Sequence, residues 1–211
     1  MTGSIDNLIL RHAYCDTLVE RKTNSINLAR RLELPVKIIQ ETVKELIKNG
    51  SLAKKDEDNI SLTEFGRKQI SVVMTGGVFD LIHIGHIFTL KQAKLLGDVL
   101  VVVITTDNNV RKLKKREPTN SQRDRAQVIA HIKDVDVAVI GNEGDFILTV
   151  KQIMPDIIAL GYDQKFNEED LMNKLRENKL EHIKIIRLNQ YVPGKSTSKI
   201  MQEIIQKNIR M

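Results

Sequence analysis

The chain has 211 residues, of which 41% are hydrophobic and 28% charged, so it can bury a core and does not have a disordered composition. Its apolar runs fall short of the ~20 residues that a membrane-spanning helix requires, and its N-terminus lacks a signal-peptide pattern. The single Cys15 cannot form an internal disulfide, which favours the cytoplasm, and the net charge of +6 suits a phosphate-carrying partner or simply a solvated surface.

The first seventy residues are predicted to form a small helical domain with a hairpin. Residues 5–21 and 24–35 carry apolar residues at helical spacing, and "VKIIQETVKELIKNG" continues this pattern up to Gly50. The segment "SLAKKDEDNISLTEFGRKQI" has the form of strand, polar turn and strand. The run "LARRLELPVKIIQETVKELIKNG" followed by "LTEFGR" resembles the winged helix-turn-helix family.

That resemblance implies DNA binding through residues 24–68. The matching positions on the recognition helix and in the wing are Lys37, Gln40, Glu41, Lys44, Lys54 and Lys55. Residues 1–70 hold 12 Lys plus Arg against 10 Asp plus Glu, a net charge of only +2. Such a weak charge fits a module that docks a partner or dimerises as well as one that binds DNA.

From residue 71 onward the pattern changes to strands alternating with helices. "SVVMTGG" is an apolar, β-branched run, and "DVLVVVITTD", "VDVAVIG", "DIIALGYD" and "HIKIIRLN" follow it as further strands separated by helical segments. Alternation of this kind predicts an α/β domain with a Rossmann-like parallel sheet. We therefore expect a winged helix-turn-helix domain over residues 1–70 and an α/β domain over residues 71–211. Ligands of such sheets bind beyond the carboxyl ends of the strands.

The first strand runs into "TGGVFDLIHIGHIFTLKQAK", residues 75–94. Gly76 and Gly77 let the backbone approach a bulky ligand, and the helix that begins near Gly85 offers an anion site at its N-terminus. His83 and His86 flank that helix start, where both rings can point at one phosphate. Zinc ligation would need further ligands that the sequence does not place nearby, and a pair of ordinary surface histidines is the remaining alternative.

The stretch "GGVFDLIHIGHIFTLKQAK" resembles the HxGH motif of the nucleotidyltransferase superfamily, whose fold is Rossmann-like. The similarity extends over residues 71–206 and includes "KSTSKI" before the last helix, which resembles the family's triphosphate-binding motif. It implies that the phosphate of an acceptor attacks the α-phosphorus of ATP or CTP and expels pyrophosphate. Magnesium would bridge the phosphates, and members of the superfamily commonly form homodimers.

The resemblance also implies roles for individual residues. It assigns catalytic roles to His83 and His86 and, in the basic segment 111–125, to Lys114 and Lys115. The residues implied to contact the nucleotide are Gly76, Gly77, Val78, Phe79, Asp80, Gly85, Arg125, Gly161, Tyr162, Asp163, Ser196, Thr197, Ser198 and Lys199. A solvated flexible loop is the alternative for the basic segment, and a structural turn is the alternative for Asp80.

The sequence resembles two branches of the superfamily, and these branches use different acceptors. "PDIIALGYDQKF" followed by "RLNQY" resembles archaeal FAD synthetases, which adenylylate FMN. "STSKI" fits the glycerol-3-phosphate cytidylyltransferases, but Tyr191 stands where that branch has an arginine. We favour the FAD synthetase branch. A DNA-binding regulator whose α/β domain only senses a nucleotide is the alternative from another class, and the presence of both histidines argues against it.

Overall fold

The computed structural model describes residues 4–162, 164, 167–190, 192–194 and 197–209. The chain divides into two compact units, Met1–Ser71 and Val72–Met211. Among the described residues, none of the helices combines the length and the apolar character needed to cross a membrane.

The N-terminal unit contains three helices, a hairpin and a short fourth helix. These are α1 (Ile5–Leu18), α2 (Ser25–Leu32), α3 (Val36–Lys48), β1 (Leu52–Lys54), β2 (Ile60–Leu62) and α4 (Glu64–Arg67). Asn24 caps α2 by accepting a hydrogen bond from the Asn27 N–H at 2.9 Å. A buried Asp16 carboxylate accepts bonds of 2.7 and 2.6 Å from Arg31 and one of 2.9 Å from the Thr23 hydroxyl, which fixes α1 against α2. Its identity as a winged helix-turn-helix stays a prediction.

The C-terminal unit is an α/β domain, as predicted. Its elements are β3 (Val72–Gly77), α5 (Ile84–Lys94), β4 (Val99–Ile104), α6 (Asp107–Lys114), α7 (Gln122–Ala130), β5 (Val137–Ile140), α8 (Phe146–Ile153), β6 (Ile157–Leu160), α9 (Glu168–Glu177), β7 (Lys184–Arg187) and α10 (Thr197–Ile209). All five strands are parallel and lie in the order β5-β4-β3-β6-β7. The order reverses between β4 and β6 around β3, which places the binding crevice at the carboxyl end of β3.

The core of this unit lies between the sheet and its helices. One buried cluster comprises Val73, Phe79, Leu90, Ala93, Leu100, Val102, Ile104, Ile129, Val135, Ala159 and Leu188, and the alternate strand residues Val72, Met74, Val99 and Val101 are buried as well. The strands are apolar on both faces because helices cover both, which explains why "DVLVVVITTD" shows no alternation. The apolar runs thus encode central strands whose side chains are buried on both faces of the sheet.

At the amino edge of the sheet, two carboxylates bind N–H groups near the starts of β3 and β4. Asp156 accepts from the Val72 N–H at 2.7 Å, and Asp136 accepts from the Leu100 N–H at 2.7 Å. Asp136 also forms an ion pair with Lys94 at the end of α5. These bonds fix the starts of β3 and β4 relative to the neighbouring connections.

Candidate active site

The two glycines of the motif lie within the last two pairs of β3. Gly76 pairs with Val103 and Gly77 with Ile104, so both belong to the strand and Gly77 is its last residue. A Cβ on Gly76 would lie 3.3 Å from the Val103 carbonyl oxygen, and one on Gly77 would lie 2.9 Å from the Phe79 ring. Glycine at both positions therefore lets β3 end beside β4 and Phe79 without a clash.

The two histidines come together at the start of α5, as predicted. His83 is the residue immediately before the helix, and its carbonyl accepts a hydrogen bond from the His86 N–H at 2.9 Å. The two imidazole rings stack, with centroids 3.9 Å apart and planes inclined by 25°. Ile84 and Gly85 lie between them in sequence; the Ile84 side chain is exposed, and the stacking of the rings shows that it does not separate the pair.

Phe79 orients the second histidine. Its ring meets the His86 ring edge-on, with centroids 5.2 Å apart and planes at 66°. The Phe79 backbone has a φ of +53°, a left-handed conformation that is uncommon outside glycine. Because the side chain is buried in the core, we revise its predicted role from nucleotide contact to support of His86.

This arrangement offers a phosphate both side-chain and backbone groups. The first N–H groups of a helix have no partners within it and sit at the positive end of its dipole. The two adjacent imidazoles add N–H donors that can form hydrogen bonds to phosphoryl oxygens as negative charge develops on them. The start of α5 can therefore stabilise the transition state of a phosphoryl or nucleotidyl transfer.

Asp80 holds the segment between α6 and α7. Its buried carboxylate accepts hydrogen bonds from the N–H groups of Thr119 at 2.9 Å and Asn120 at 2.9 Å, and from Arg116 at 2.7 Å. Burial alone would raise the pKa of Asp80, but these three donors outweigh it and hold the pKa below its ordinary value. We therefore assign Asp80 as a positioning residue that couples the HxGH segment to the basic segment.

Replacing Asp80 by Asn should remove a pH-dependent part of the stability. The lowered pKa means that the carboxylate stabilises the fold above the unfolded-state value of about 4, and that this contribution disappears as the pH falls through the folded-state value. Asn also brings an amide NH₂ against donors, so we expect a loss of about 2 kcal/mol at neutral pH. Urea unfolding between pH 3 and pH 7 should show the gap between Asp80→Asn and wild type closing toward acid. A gap that is constant with pH would contradict this role.

Arg125 is likewise surrounded by protein. Its guanidinium donates to the carbonyl oxygens of Val78 at 2.5 Å, Thr105 at 2.8 Å and Asn120 at 3.0 Å, and to the Asp107 carboxylate at 2.7 Å. The side chain is only 1% exposed. We therefore revise the predicted nucleotide contact of Arg125, and the side-chain role of Val78, to positioning of the loops that follow β3 and β4.

The basic segment is more ordered than the flexible loop considered from sequence. Residues Asp107–Lys114 form α6, with Thr106 as its N-cap, and the connection to α7 spans residues 115–121. Lys114 is the last residue of α6, and Lys115 has a left-handed φ of +55° directly after it. Both side chains are exposed, so they are available to a ligand, and their catalytic assignment stays a proposal.

Thr197, the first residue of α10 and part of the predicted phosphate-binding motif, lies next to the segment that leads into α5. The Thr197 hydroxyl donates to the Leu81 carbonyl oxygen at 3.4 Å. Ser196 lies outside the described residues, as do the side chains of Ser198 and Lys199 within α10. After β6, Gly161 is buried and Tyr162 is 42% exposed, and Asp163 also lies outside the described residues. The structure therefore brings the first residue of α10 to the loop before α5, across 116 residues of sequence.

Three sets of contacts escaped the sequence analysis. Arg116, Thr119 and Asn120 bind Asp80, Gln164 bonds to the end of β3, and Arg187 bonds to the loop after β6. All are polar side chains or backbone groups that no periodicity marks. Their partners lie at separations of 26 to 88 residues, so only the folded chain reveals them.

Comparison with known proteins identifies the family of the chain. Residues 74–203 match the family model described as cytidylyltransferase-like. The chain is 48% identical over 143 residues to a FAD synthase of Thermococcus kodakarensis and 42% identical over 137 residues to one of Thermoplasma acidophilum. These alignments cover 66% and 65% of the chain and 95% of each relative.

A solved structure shares the fold. The crystal structure of a protein described as a lipopolysaccharide core biosynthesis protein from Thermoplasma volcanium aligns with a TM-score of 0.56 and 43% sequence identity. The alignment covers 58% of this chain and 99% of that chain. With the HxGH segment in place at the carboxyl end of the central strand, the chain belongs to the cytidylyltransferase-like family and is a nucleotidyltransferase.

Proposed function

We propose that this nucleotidyltransferase transfers the adenylyl group of ATP to FMN, forming FAD and pyrophosphate. The observation that carries the proposal is that the stacked His83–His86 pair lies in the part of the chain that is 42–48% identical to archaeal FAD synthases. The alignments span 95% of the length of each of those relatives. It favours the FMN acceptor over the glycerol 3-phosphate suggested by "STSKI". Tyr191, which separates the two branches in sequence, lies outside the described residues.

In the proposed reaction a phosphate oxygen of FMN attacks the α-phosphorus of ATP. A new P–O bond forms to the attacking oxygen, the bond from the α-phosphorus to the bridging oxygen breaks, and its electron pair leaves with pyrophosphate. His83 and His86 donate hydrogen bonds to the phosphoryl oxygens on which charge increases. Lys114 and Lys115 are proposed to neutralise the negative charge of the acceptor phosphate. Thr197 and its neighbours are proposed to bind the β- and γ-phosphates at the start of α10.

Magnesium is proposed to enter as part of the ATP substrate. Among the described residues no three carboxylate, histidine or cysteine side chains come together to form a metal cage. The Asp80 carboxylate is engaged by Arg116 and by two backbone N–H groups. Magnesium prefers phosphate oxygens and water in such sites, so the substrate itself can supply most of its ligands.

The proposal predicts which substrates the purified chain will use. Pyrophosphate release should be measured with ATP or CTP crossed with FMN, glycerol 3-phosphate and phosphocholine, in the presence of magnesium. We expect turnover only with ATP and FMN, and chromatography should identify the product as FAD. Turnover with CTP and a phosphoalcohol would instead assign the chain to the cytidylyltransferase branch. Nucleotide binding without any turnover would favour the sensor alternative.

Two partner proposals concern the rest of the molecule. In the N-terminal unit the side chains predicted to meet DNA are exposed: Lys37, Gln40, Glu41, Lys44, Lys54 and Lys55. The acidic run Asp56, Glu57 and Asp58 is exposed beside them, which favours a protein partner over DNA. A mobility-shift titration of the full chain with duplex DNA separates these two partners. The homodimer also stays a proposal, and light scattering of the purified chain would test it.

A further inference from the structure

Near the active site, strand β3 continues beyond the end of its described pairing with β6. On one side it pairs with β4 as far as Gly77–Ile104, whereas its described ladder with β6 ends at Met74–Ile158. The backbone groups of β3 beyond Met74 therefore need other partners on the β6 side. The Thr75 hydroxyl supplies one link, by donating to the Ala159 carbonyl oxygen at 2.8 Å.

Gln164 supplies the next link. Its Nε2 donates to the Gly76 carbonyl oxygen at 2.5 Å, and its Oε1 accepts from the Gly161 N–H at 3.1 Å. The Gln164 N–H also donates to the Gly161 carbonyl oxygen at 3.2 Å, so two hydrogen bonds join these residues. One primary amide thus joins the residue after β6 to the glycine pair that ends β3.

Arg187, the last residue of β7, binds the backbone of both Gly161 and Gln164. Its Nη1 donates to the carbonyl oxygens of Gly161 and Gln164, both at 3.1 Å, and its Nε donates to Glu168 at 2.6 Å. The planar guanidinium bridges two carbonyl oxygens and a carboxylate at the start of α9. A lysine ammonium has the charge but not the forked geometry for all three partners.

We propose that Gln164 and Arg187 are positioning residues for nucleotide binding. Together they form a clamp, the Gln164–Arg187 clamp, that presents the Gly161–Tyr162 backbone to the nucleotide beside Gly76. The inference rests on the proposed function in one respect, namely that Gly161 and Tyr162 contact the nucleotide. Neither clamp side chain needs to touch the reacting phosphorus, so the clamp acts on binding of the nucleotide and not on the chemical step.

The test compares nucleotide affinity with turnover for three variants. Gln164→Ala removes both amide bonds, and we expect the Kd for the nucleotide to rise roughly tenfold while kcat stays within about threefold of wild type. Gln164→Glu keeps an acceptor for the Gly161 N–H but has no N–H for the Gly76 carbonyl, so we expect it to resemble Gln164→Ala. Arg187→Lys should weaken binding to a similar degree, because one ammonium cannot replace the fork.

Matched controls are Gln127→Ala and Arg176→Lys, which alter exposed side chains on α7 and α9. Calorimetric titrations with ATP and with CTP, below the unfolding temperature of every variant, measure the loss for whichever nucleotide the wild type binds. Preference of the wild type for CTP would overturn adenylyl transfer to FMN while the ratio between variant and wild type still tests the clamp. Unchanged affinity in Gln164→Ala and Arg187→Lys, or a fall in kcat without a change in Kd, would overturn the clamp.

Discussion

Replacing His83 and His86 together by alanine is expected to lower the rate of nucleotidyl transfer by at least about 10³-fold, because preorganised donors to developing phosphoryl charge are worth about 10²–10³ each. The two rings are stacked at 3.9 Å and serve one site, so their losses should not simply multiply. The double variant keeps the backbone of Gly76 and Gly77 and the N–H groups at the start of α5. Nucleotide affinity should therefore change much less than the rate. Single-turnover pyrophosphate release, with enzyme in excess, separates the chemical step from binding.

The matched control for this experiment is His131→Ala. His131 follows α7, and its ring bonds to the Gln127 carbonyl oxygen at 2.7 Å in an exposed position. It should leave the single-turnover rate unchanged. A His83→Ala/His86→Ala double variant that reacts at the wild-type rate would show that the start of α5 is not the reacting centre.

Replacing Arg125 by Met is expected to destabilise the C-terminal unit by about 3–5 kcal/mol, because removing one partner of a buried ion pair leaves the other uncompensated. In this case the stranded groups include the Asp107 carboxylate and three carbonyl oxygens, those of Val78, Thr105 and Asn120. Arg125→Lys retains the charge but cannot reach four acceptors in different directions, so we expect only partial recovery. Activity should fall with stability, since these carbonyls belong to the loops around the active site.

Hydrogen exchange of the β3 and β4 amides is the suitable measurement, because it reports the opening of the C-terminal unit separately from the N-terminal one. Arg123→Met, two residues earlier on the same helix, changes an exposed arginine and is the control. It should change the opening free energy by no more than about 0.5 kcal/mol. If Arg125→Met also stayed within that range, the four hydrogen bonds would not support the fold as we describe.

The fold of the C-terminal unit was accessible from sequence because its determinants are local. Buried strands such as Val99–Ile104 are uninterrupted apolar runs, and the glycine–histidine segment signals a strand that ends in an anion-binding helix. The position of α6 was less accessible. Its lysines and arginines predicted a basic loop, with a solvated flexible loop as the alternative, whereas Thr106 caps a helix over Asp107–Lys114.

The supporting contacts of the site were not accessible from sequence, and the reason is geometric. Asp80 and Arg125 lie in positions typical of ligand contacts, yet folding directs both side chains to protein partners up to 40 and 47 residues away. Gln164 meets Gly76 across 88 residues. A charged side chain near a motif shows only that a counter-charge is needed, and the topology decides whether ligand or protein supplies it.

The hydrogen bonds that Asp156 and Asp136 accept at the amino edge of the sheet have an evolutionary consequence. Asp156 and Asp136 hold the starts of β3 and β4, whereas His83 and His86 follow the other end of β3, about 16 Å away along the strand. At this separation, substitutions at the amino edge should have little interaction with substitutions near the histidines. A lineage moving to a hotter or colder habitat can retune the rigidity of the sheet at one edge while the substrate chemistry at the other stays under its own selection. Adaptation to temperature and preservation of catalysis are in this way separable within a single small domain.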